Sequence, residues 1–307
     1  MRPAISIKDL TYTYPDGTCA LNGISAEILE GESVALLGPN GAGKSTLMLH
    51  LNGILGGGEG SVEIFGDRIG SVDLKEIRKR VGIVFQDPDD QLFMPTLFDD
   101  VAFGPRNLGI PENEVKERVG RALRKVGLEG FEDRLPHHLS FGQKKRAAFA
   151  TILSMDPDII VLDEPTSNLD PKSRSELIRV IAKLREEGKT LITATHDVNA
   201  VPEIADRVIV LNRIIIGEGT VREVLLDSNL LEAANLTTPD VVQLFELLGC
   251  FGYDCKNLPL SMDEAVTHLT RTIETANGKH VHLHIHEHTH QEIGEVREKY
   301  NHRHAHS

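Results

Sequence analysis

The sequence lacks several features that would place it in other classes. It has no long apolar run: stretches such as Ile159–Leu162 and Ile214–Ile216 fall far short of the roughly 20 residues a membrane span needs. It has no excess of positive charge. Lys and Arg number 33 against 46 Asp and Glu, a net charge of −13, and the sequence pI is about 5.5. A strongly basic nucleic-acid binder is excluded on that ground. Cysteine is scarce: Cys19, Cys250 and Cys255 make neither a CxxC pair nor an even set, so cytosolic thiols are expected rather than a disulfide framework. Cys250 and Cys255 could instead hold a soft metal, but a second pair is missing. No basic stretch followed by an apolar one opens the chain, so no secretory signal is expected.

What is present is an ordinary globular composition. Hydrophobic residues make up 40 %, and 27 Gly are added to them, enough for a proper core. A chain of 307 residues suggests one large domain or two ordinary ones, at about 150 residues each. Its 14 His are unevenly spread, with nine of them in residues 280–307.

Up to about residue 220, strand-like and helix-like segments alternate, the pattern of an α/β domain. Short apolar runs predict buried strands at Val34–Leu37, Val81–Phe85, Ile159–Leu162, Thr190–Ala194 and Val208–Leu211. Val62–Phe65 predicts a further strand, in an antiparallel edge. Helices are expected at Lys44–Leu55, Glu112–Val126, Gln143–Leu153 and Ser173–Glu187. In the second, Val115, Val119, Ala122, Leu123 and Val126 form one buried stripe. Helical segments with no strand between them, from about 95 to 155, predict a helical insertion. Beyond Gly219, Val221–Leu226 and Pro239–Leu248 have the pattern of amphipathic helices, and Ser261-Met-Asp-Glu264 forms a capping box before Ala265–Ile273. Asn277-Gly278 is a turn signal. The expected organisation is a cassette over 1–227, a small helical domain over 228–276 and a His-rich tail over 277–307.

The chemistry begins at Gly38-Pro39-Asn40-Gly41-Ala42-Gly43-Lys44-Ser45, a full match to G-x-x-x-x-G-K-[ST] between an apolar strand and a helix. Glycines let successive backbone N–H groups curl around phosphates, and the helix N-terminus adds partial positive charge. Lys44 reaches the β- and γ-phosphates and Ser45 offers a hydroxyl to Mg²⁺. Thr46 adds a second hydroxyl. The carboxylate partner is Asp163-Glu164, which ends the run Ile159–Leu162. Asp163 is placed to hold Mg²⁺, and Glu164 to polarise a water for attack on the γ-phosphate.

These residues resemble the ATP-binding-cassette (ABC) ATPases over about residues 5–220. Leu139-Ser140-Phe141-Gly142-Gln143 resembles the signature LSGGQ. Gln86 is similar to the Q-loop glutamine, Ser167-Asn168-Leu169-Asp170 to the D-loop, His196 to the switch histidine and Tyr14 to the aromatic that stacks on adenine. The resemblance implies a P-loop NTPase fold with a helical signature subdomain. It also implies two cassettes facing head to tail, with ATP between the P-loop of one and Ser140, Phe141, Gly142 and Gln143 of the other. Glu164 would then be the general base, His196 would position the γ-phosphate, and Gln86 would touch Mg²⁺ and the water. Phe141 departs from the family pattern, which has Gly there. If the segment opens a helix, no positive φ is required.

Phe85 to Phe93 and Asp100 to Pro105, with Pro-His-His-Leu-Ser at 136–140, are similar to the energy-coupling-factor branch, the ATPase subunits of cobalt, nickel and vitamin importers. That branch implies a transmembrane coupling subunit and a substrate-binding membrane subunit. It further implies a peripheral place on the cytoplasmic face of the cell membrane, and a homodimer or a heterodimer with a related ATPase through the C-terminal helices. Leu92 and Phe93 are the expected lining of the groove for the coupling subunit. Within the branch the tail discriminates. His280, His282, His284, His286, His288 and His290 alternate with other residues, so an extended chain puts all six imidazoles on one side. Imidazole suits Ni²⁺, Co²⁺, Zn²⁺ and Cu²⁺. The expectation is an ATPase that powers cobalt or nickel import. The alternatives are a vitamin importer's ATPase, a soluble ABC ATPase outside transport, and a metal storage protein with a regulatory cassette. A solvated tail without function, or a purification tag, competes with metal capture.

Overall fold

The computed structural model describes residues 2–250 and 257–275. Two strands of 11 residues open the chain, β1 (Pro3–Thr13) and β2 (Cys19–Leu29). With β4 (Glu59–Ile64) and the two-residue β5 (Asp67–Arg68) they make an antiparallel sheet in the order β2-β1-β4-β5. The strand expected at Val62–Phe65 is therefore flanked by β1 and β5 and is not an edge.

The second sheet has six strands in the order β10-β9-β3-β8-β7-β6. They are β3 (Ser33–Leu37), β6 (Val81–Val84), β7 (Ile159–Asp163), β8 (Thr190–Thr195), β9 (Arg207–Asn212) and β10 (Ile214–Thr220). All pair in parallel except β10, which is antiparallel to β9. Every residue of β3, β7 and β8 is buried, so central parallel strands read as unbroken apolar runs rather than as alternation. Order matters for the site: β8 lies between β3 and β7, which brings the carboxyl ends of three motif-bearing strands side by side. Ligands of open α/β sheets bind at such ends.

Helix α1 (Lys44–Leu51) follows β3, and its Met48 and Leu51 join Ile5, Ile24, Ile64, Leu36 and Ile209 in one core cluster fed by both sheets. The helix stops at Leu51 rather than Leu55. Asn52 leaves helical geometry and Gly53 turns to φ 67, a left-handed exit that glycine tolerates. Helix α2 (Leu74–Arg80) is capped by Asp73.

Between β6 and β7 lies the helical insertion: α3 (Leu97–Asn107), α4 (Glu112–Lys125) and α5 (Phe141–Leu153). Val115, Val119, Ala122 and Leu123 form the buried stripe of α4, as expected. Asp100 of α3 is buried and accepts from the amides of Phe93 and Met94, each at 3.0 Å. Helix α6 (Pro171–Glu186) follows β7 and the short α7 (Val201–Ile204) follows β8. Then come α8 (Val221–Leu226), α9 (Ser228–Ala233), α10 (Asp240–Cys250) and α11 (Met262–Thr275).

The chain divides into two compact units, Met1–Thr237 and Thr238–Ser307, with α8 and α9 in the first. In the second unit, α11 begins earlier than Ala265. Ser261 Oγ accepts from the Glu264 amide at 3.2 Å, while Glu264 Oε2 accepts from the Leu260 amide at 2.9 Å. The Ser261 half of the expected box is thus in place, and Glu264 reaches back to the residue before the cap. The Cys255 thiol, the Asn277-Gly278 turn and all six tail histidines from His280 to His290 lie outside the described residues. Among the described residues no helix is long and apolar enough to cross a membrane.

Candidate functional site

The P-loop joins β3 to α1. Gly41 and Gly43 have φ 77 and 96, the left-handed region that glycine enters without penalty. A side chain at Gly43 would also collide with the Ala20 carbonyl and Leu21. Gly43 sits at the N-cap of α1 and no side chain caps that helix, so its first-turn N–H groups are left for an anion. Lys44, the first residue of α1, is 6 % exposed. Its ammonium folds back over the loop and donates to Gly38 O (2.7 Å) and Pro39 O (3.1 Å). Gly38 and Ala42 are buried, while Asn40, Gly41 and Ser45 are exposed. Tyr14 approaches from the antiparallel sheet. Its hydroxyl is 3.0 Å from Thr46 Oγ1, and its ring stands edge-on to Tyr12 at 5.0 Å.

Asp163 ends β7 and Glu164 follows it. Burial raises the pKa of Asp163, opposed by a hydrogen bond from Ser45 and reinforced by the charge of Glu164. Burial lowers that of Lys44, opposed by Glu164 and Asp163. Glu164 Oε1 lies 3.8 Å from Lys44 Nζ, and Oε2 lies 2.9 Å from Nδ1 of His196. The latter pair is close without the alignment of a hydrogen bond. Asp163 Oδ1 and both Glu164 carboxylate oxygens are buried without a hydrogen-bond partner. Buried carboxylate oxygens of that kind want a cation or water: Asp163 with the Ser45 hydroxyl offers oxygen donors that suit Mg²⁺, and the Glu164 oxygens are free to take a water. His196 follows β8 and is exposed. Its neighbour Asp197 is clamped by Arg174 of α6 through Nε (2.9 Å) and Nη2 (2.5 Å) to one carboxylate oxygen.

Gln86 lies exposed just past β6, which pairs in parallel with β7. The segment after it is tied to the signature helix: Lys144 Nζ meets Asp89 Oδ1 at 2.7 Å, and Gln91 Nε2 donates to Ala148 O and Thr151 Oγ1. Leu92 is turned inward at 8 % exposure, whereas Phe93 is 62 % exposed and packs edge-on against Phe103. Of the two expected groove residues, only Phe93 leaves its side chain exposed.

The signature opens α5. Ser140 is its N-cap: Ser140 Oγ accepts from the Gln143 amide (3.3 Å) and Gln143 Oε1 accepts from the Ser140 amide (3.0 Å), a complete capping box. Phe141 begins the helix without a positive φ, so a side chain is accommodated there. A Cβ on Gly142 would strike Ser173 of α6. Among the described residues, no hydrogen bond or ion pair joins 140–143 to 38–46. The structure thus gathers the P-loop, Asp163, Glu164 and His196, and leaves the signature without a bond to the P-loop.

Sequence reasoning missed Lys145. It is fully buried on α5 and donates to Glu164 O at 2.9 Å and to Ser167 Oγ at 3.3 Å. Burial lowers its pKa to about 8, against the pull of Glu164, Asp163 and Asp87. It reads as one cation in a Lys-Lys-Arg run. The signal was its helical phase, on the apolar stripe with Gly142, Phe149 and Ile152.

The sequence model of the ABC transporter family, ABC_tran, matches residues 21–167. The energy-coupling factor transporter ATP-binding protein EcfA of Methanothermobacter thermautotrophicus is 50 % identical over 268 residues, covering 86 % of each chain. The solved structure of cbiO1 from Clostridium perfringens, part of the ABC transporter complex cbiONQ, is 40 % identical, with a TM-score of 0.69. It aligns over 81 % of this chain and 100 % of that one. A dimeric post-hydrolysis state of the ATP-binding cassette MJ0796, bound to ADP and Pi, matches at 31 % identity and a TM-score of 0.64. It covers 71 % of this chain and 99 % of that one.

Proposed function

Since the chain belongs to the ATP-binding proteins of energy-coupling factor transporters, a branch of the ABC transporter family, we propose that its ATP hydrolysis powers import of a transition-metal cation, cobalt or nickel, through a membrane partner. The observation that carries the ATPase chemistry is the meeting of P-loop, Asp163, Glu164 and His196 at the carboxyl ends of β3, β7 and β8.

Each residue has a distinct task there. The uncapped amides at the start of α1 and the Lys44 ammonium receive the β- and γ-phosphates. Tyr14, standing beside Thr46, stacks on the adenine. Ser45, Asp163 and Gln86 would hold Mg²⁺, which would neutralise charge on the phosphate oxygens. Glu164 takes the proton as the oxygen of a water bonds to the γ-phosphorus, and the bond to the ADP oxygen breaks. A general base of this kind contributes about 10²–10⁴ in rate. His196 holds the γ-phosphate in line. Because the signature of this chain does not reach its own P-loop, the γ-phosphate meets Ser140 and Gly142 of a second cassette, either another copy or a related ATPase. The dimeric relative with ADP and Pi supports that arrangement.

The metal assignment rests on the six alternating histidines from His280 to His290, within a branch that resembles the ATPases of cobalt, nickel and vitamin importers. Uptake of radioactive cobalt and nickel tests it, in cells that express the chain with its membrane subunits. Uptake should require the chain and vanish with Glu164→Gln. Vitamin uptake in its place would assign the cargo to the other half of the branch, and failure to co-purify with any membrane protein would favour a soluble ATPase. Equilibrium dialysis with Ni²⁺ and Co²⁺ separates the role of the tail: the full-length chain should bind more metal than residues 1–278, and equal stoichiometry would leave the tail without one.

A further inference from the structure

A fully buried lysine needs a reason, because removing an ammonium from water is costly unless its protons are well placed. The stem of Lys145 runs from α5 into the core, and its ammonium ends on one backbone atom of consequence, the carbonyl oxygen of Glu164. That residue is strained: its φ is 43, a left-handed conformation unfavourable for a residue with a Cβ. Such a conformation persists only where the surroundings over-determine it. Both flanking peptide groups are held. The Glu164 amide donates to Ala194 O at the end of β8 (3.0 Å), and its carbonyl accepts from Lys145 Nζ (2.9 Å), Ser167 Oγ (2.8 Å) and the Ser167 amide (3.2 Å). Held this way, the backbone turns the carboxylate toward Lys44 and His196. One turn earlier on α5, the Phe141 ring lies 5.8 Å from the same ammonium, where its face attracts the cation. The residue that departs from the signature pattern is therefore paired with the lysine.

We propose that Lys145 is a positioning residue for ATP hydrolysis: from the signature helix it fixes the backbone of Glu164, and so the aim of the general base, with Phe141 covering the cation. The role rests on the reading of Glu164 as the base. It also joins the signature helix to the base by one side chain, so a shift of α5 reaches the carboxylate directly.

The full-length chain tests this through kcat, KM and ATP affinity. Lys145→Met keeps the apolar stem and removes the donor, and kcat should fall at least about tenfold. KM and the Kd for ATP should stay within about twofold, the pattern of an interaction used only in the chemical step. Lys145→Gln restores a neutral N–H donor and should bring kcat back to within about threefold of the parent. A Met variant with unchanged kcat, a loss of affinity that matches the loss of rate, or a Gln variant no better than Met would each overturn the proposal. If the Met variant does not fold, Ser167→Ala decides. It removes the other side-chain donor from the same carbonyl, and kcat should drop about threefold at constant Kd, while an unchanged kcat contradicts the role. Glu164→Gln is measured alongside. Hydrolysis that survives it would sink the base assignment itself, whereas its loss together with an unaffected Lys145→Met would sink only the positioning role.

Discussion

Two helix N-termini in this chain, which the proposed function assigns to the same anion, are finished differently. Helix α1 opens at Gly43 with no side-chain cap; α5 opens at Ser140 with a closed capping box. The first-turn amides of α1 have no side-chain partner, so a phosphate there displaces only water. At α5 the box already satisfies the Ser140 and Gln143 amides. A phosphate reaching Ser140 can still accept from its hydroxyl O–H, but the amides of Ser140 and Gln143 are already taken. On the proposed reading, the P-loop therefore carries more of the nucleotide affinity than the signature does.

The comparison can be broken from either end. The largest effect is expected at Lys44→Ala, which removes a charge-assisted donor worth about 1.5–3 kcal/mol. ATP affinity should fall on the order of tenfold to a hundredfold, as read by equilibrium titration. Next is Gly142→Ala, whose methyl strikes Ser173. Overpacking there should cost about 1–3 kcal/mol in denaturant melts, and hydrolysis should fall while each chain still binds ATP. Ser140→Ala removes the cap and should cost about 1 kcal/mol, with faster hydrogen exchange confined to the first turn of α5 and ATP affinity unchanged. The smallest effect is Gln143→Ala, which leaves the Ser140 half of the box. A few tenths of a kcal/mol are expected, below the roughly 0.5 kcal/mol floor of a missing cap. Should Ser140→Ala weaken ATP binding by a single chain as much as Lys44→Ala does, the two termini would not be distinct.

The sequence makes these regions unequally legible. The P-loop, Asp163-Glu164 and His196 can be read because phosphate chemistry fixes their residue types, spacing and place at strand ends. Strands β3, β7 and β8 follow, since buried parallel strands are plain apolar runs. Strands β1 and β2 escape notice because their pairing is broken by register shifts, as between Ile7 and Leu10, and bulges of that kind erase the two-residue alternation. The burial of Leu92, expected beside Phe93 in the groove, has a different cause: it follows the one-turn helix Pro88–Asp90 and turns inward. Lys145 is hidden differently. A run of cations reads as a solvated face, and only the partner, a strained carbonyl 19 residues further along the chain, shows why it is buried.

In the proposed mechanism Glu164 removes the proton from the attacking water, and the cassette binds ATP without its help. ATP binding and phosphate release on the same preparation of Glu164→Gln, in the assembled transporter, test this directly. Saturable ATP binding within about threefold of the parent is expected, with hydrolysis slower by at least about a hundredfold. Hydrolysis that continues at the parent's rate would contradict it.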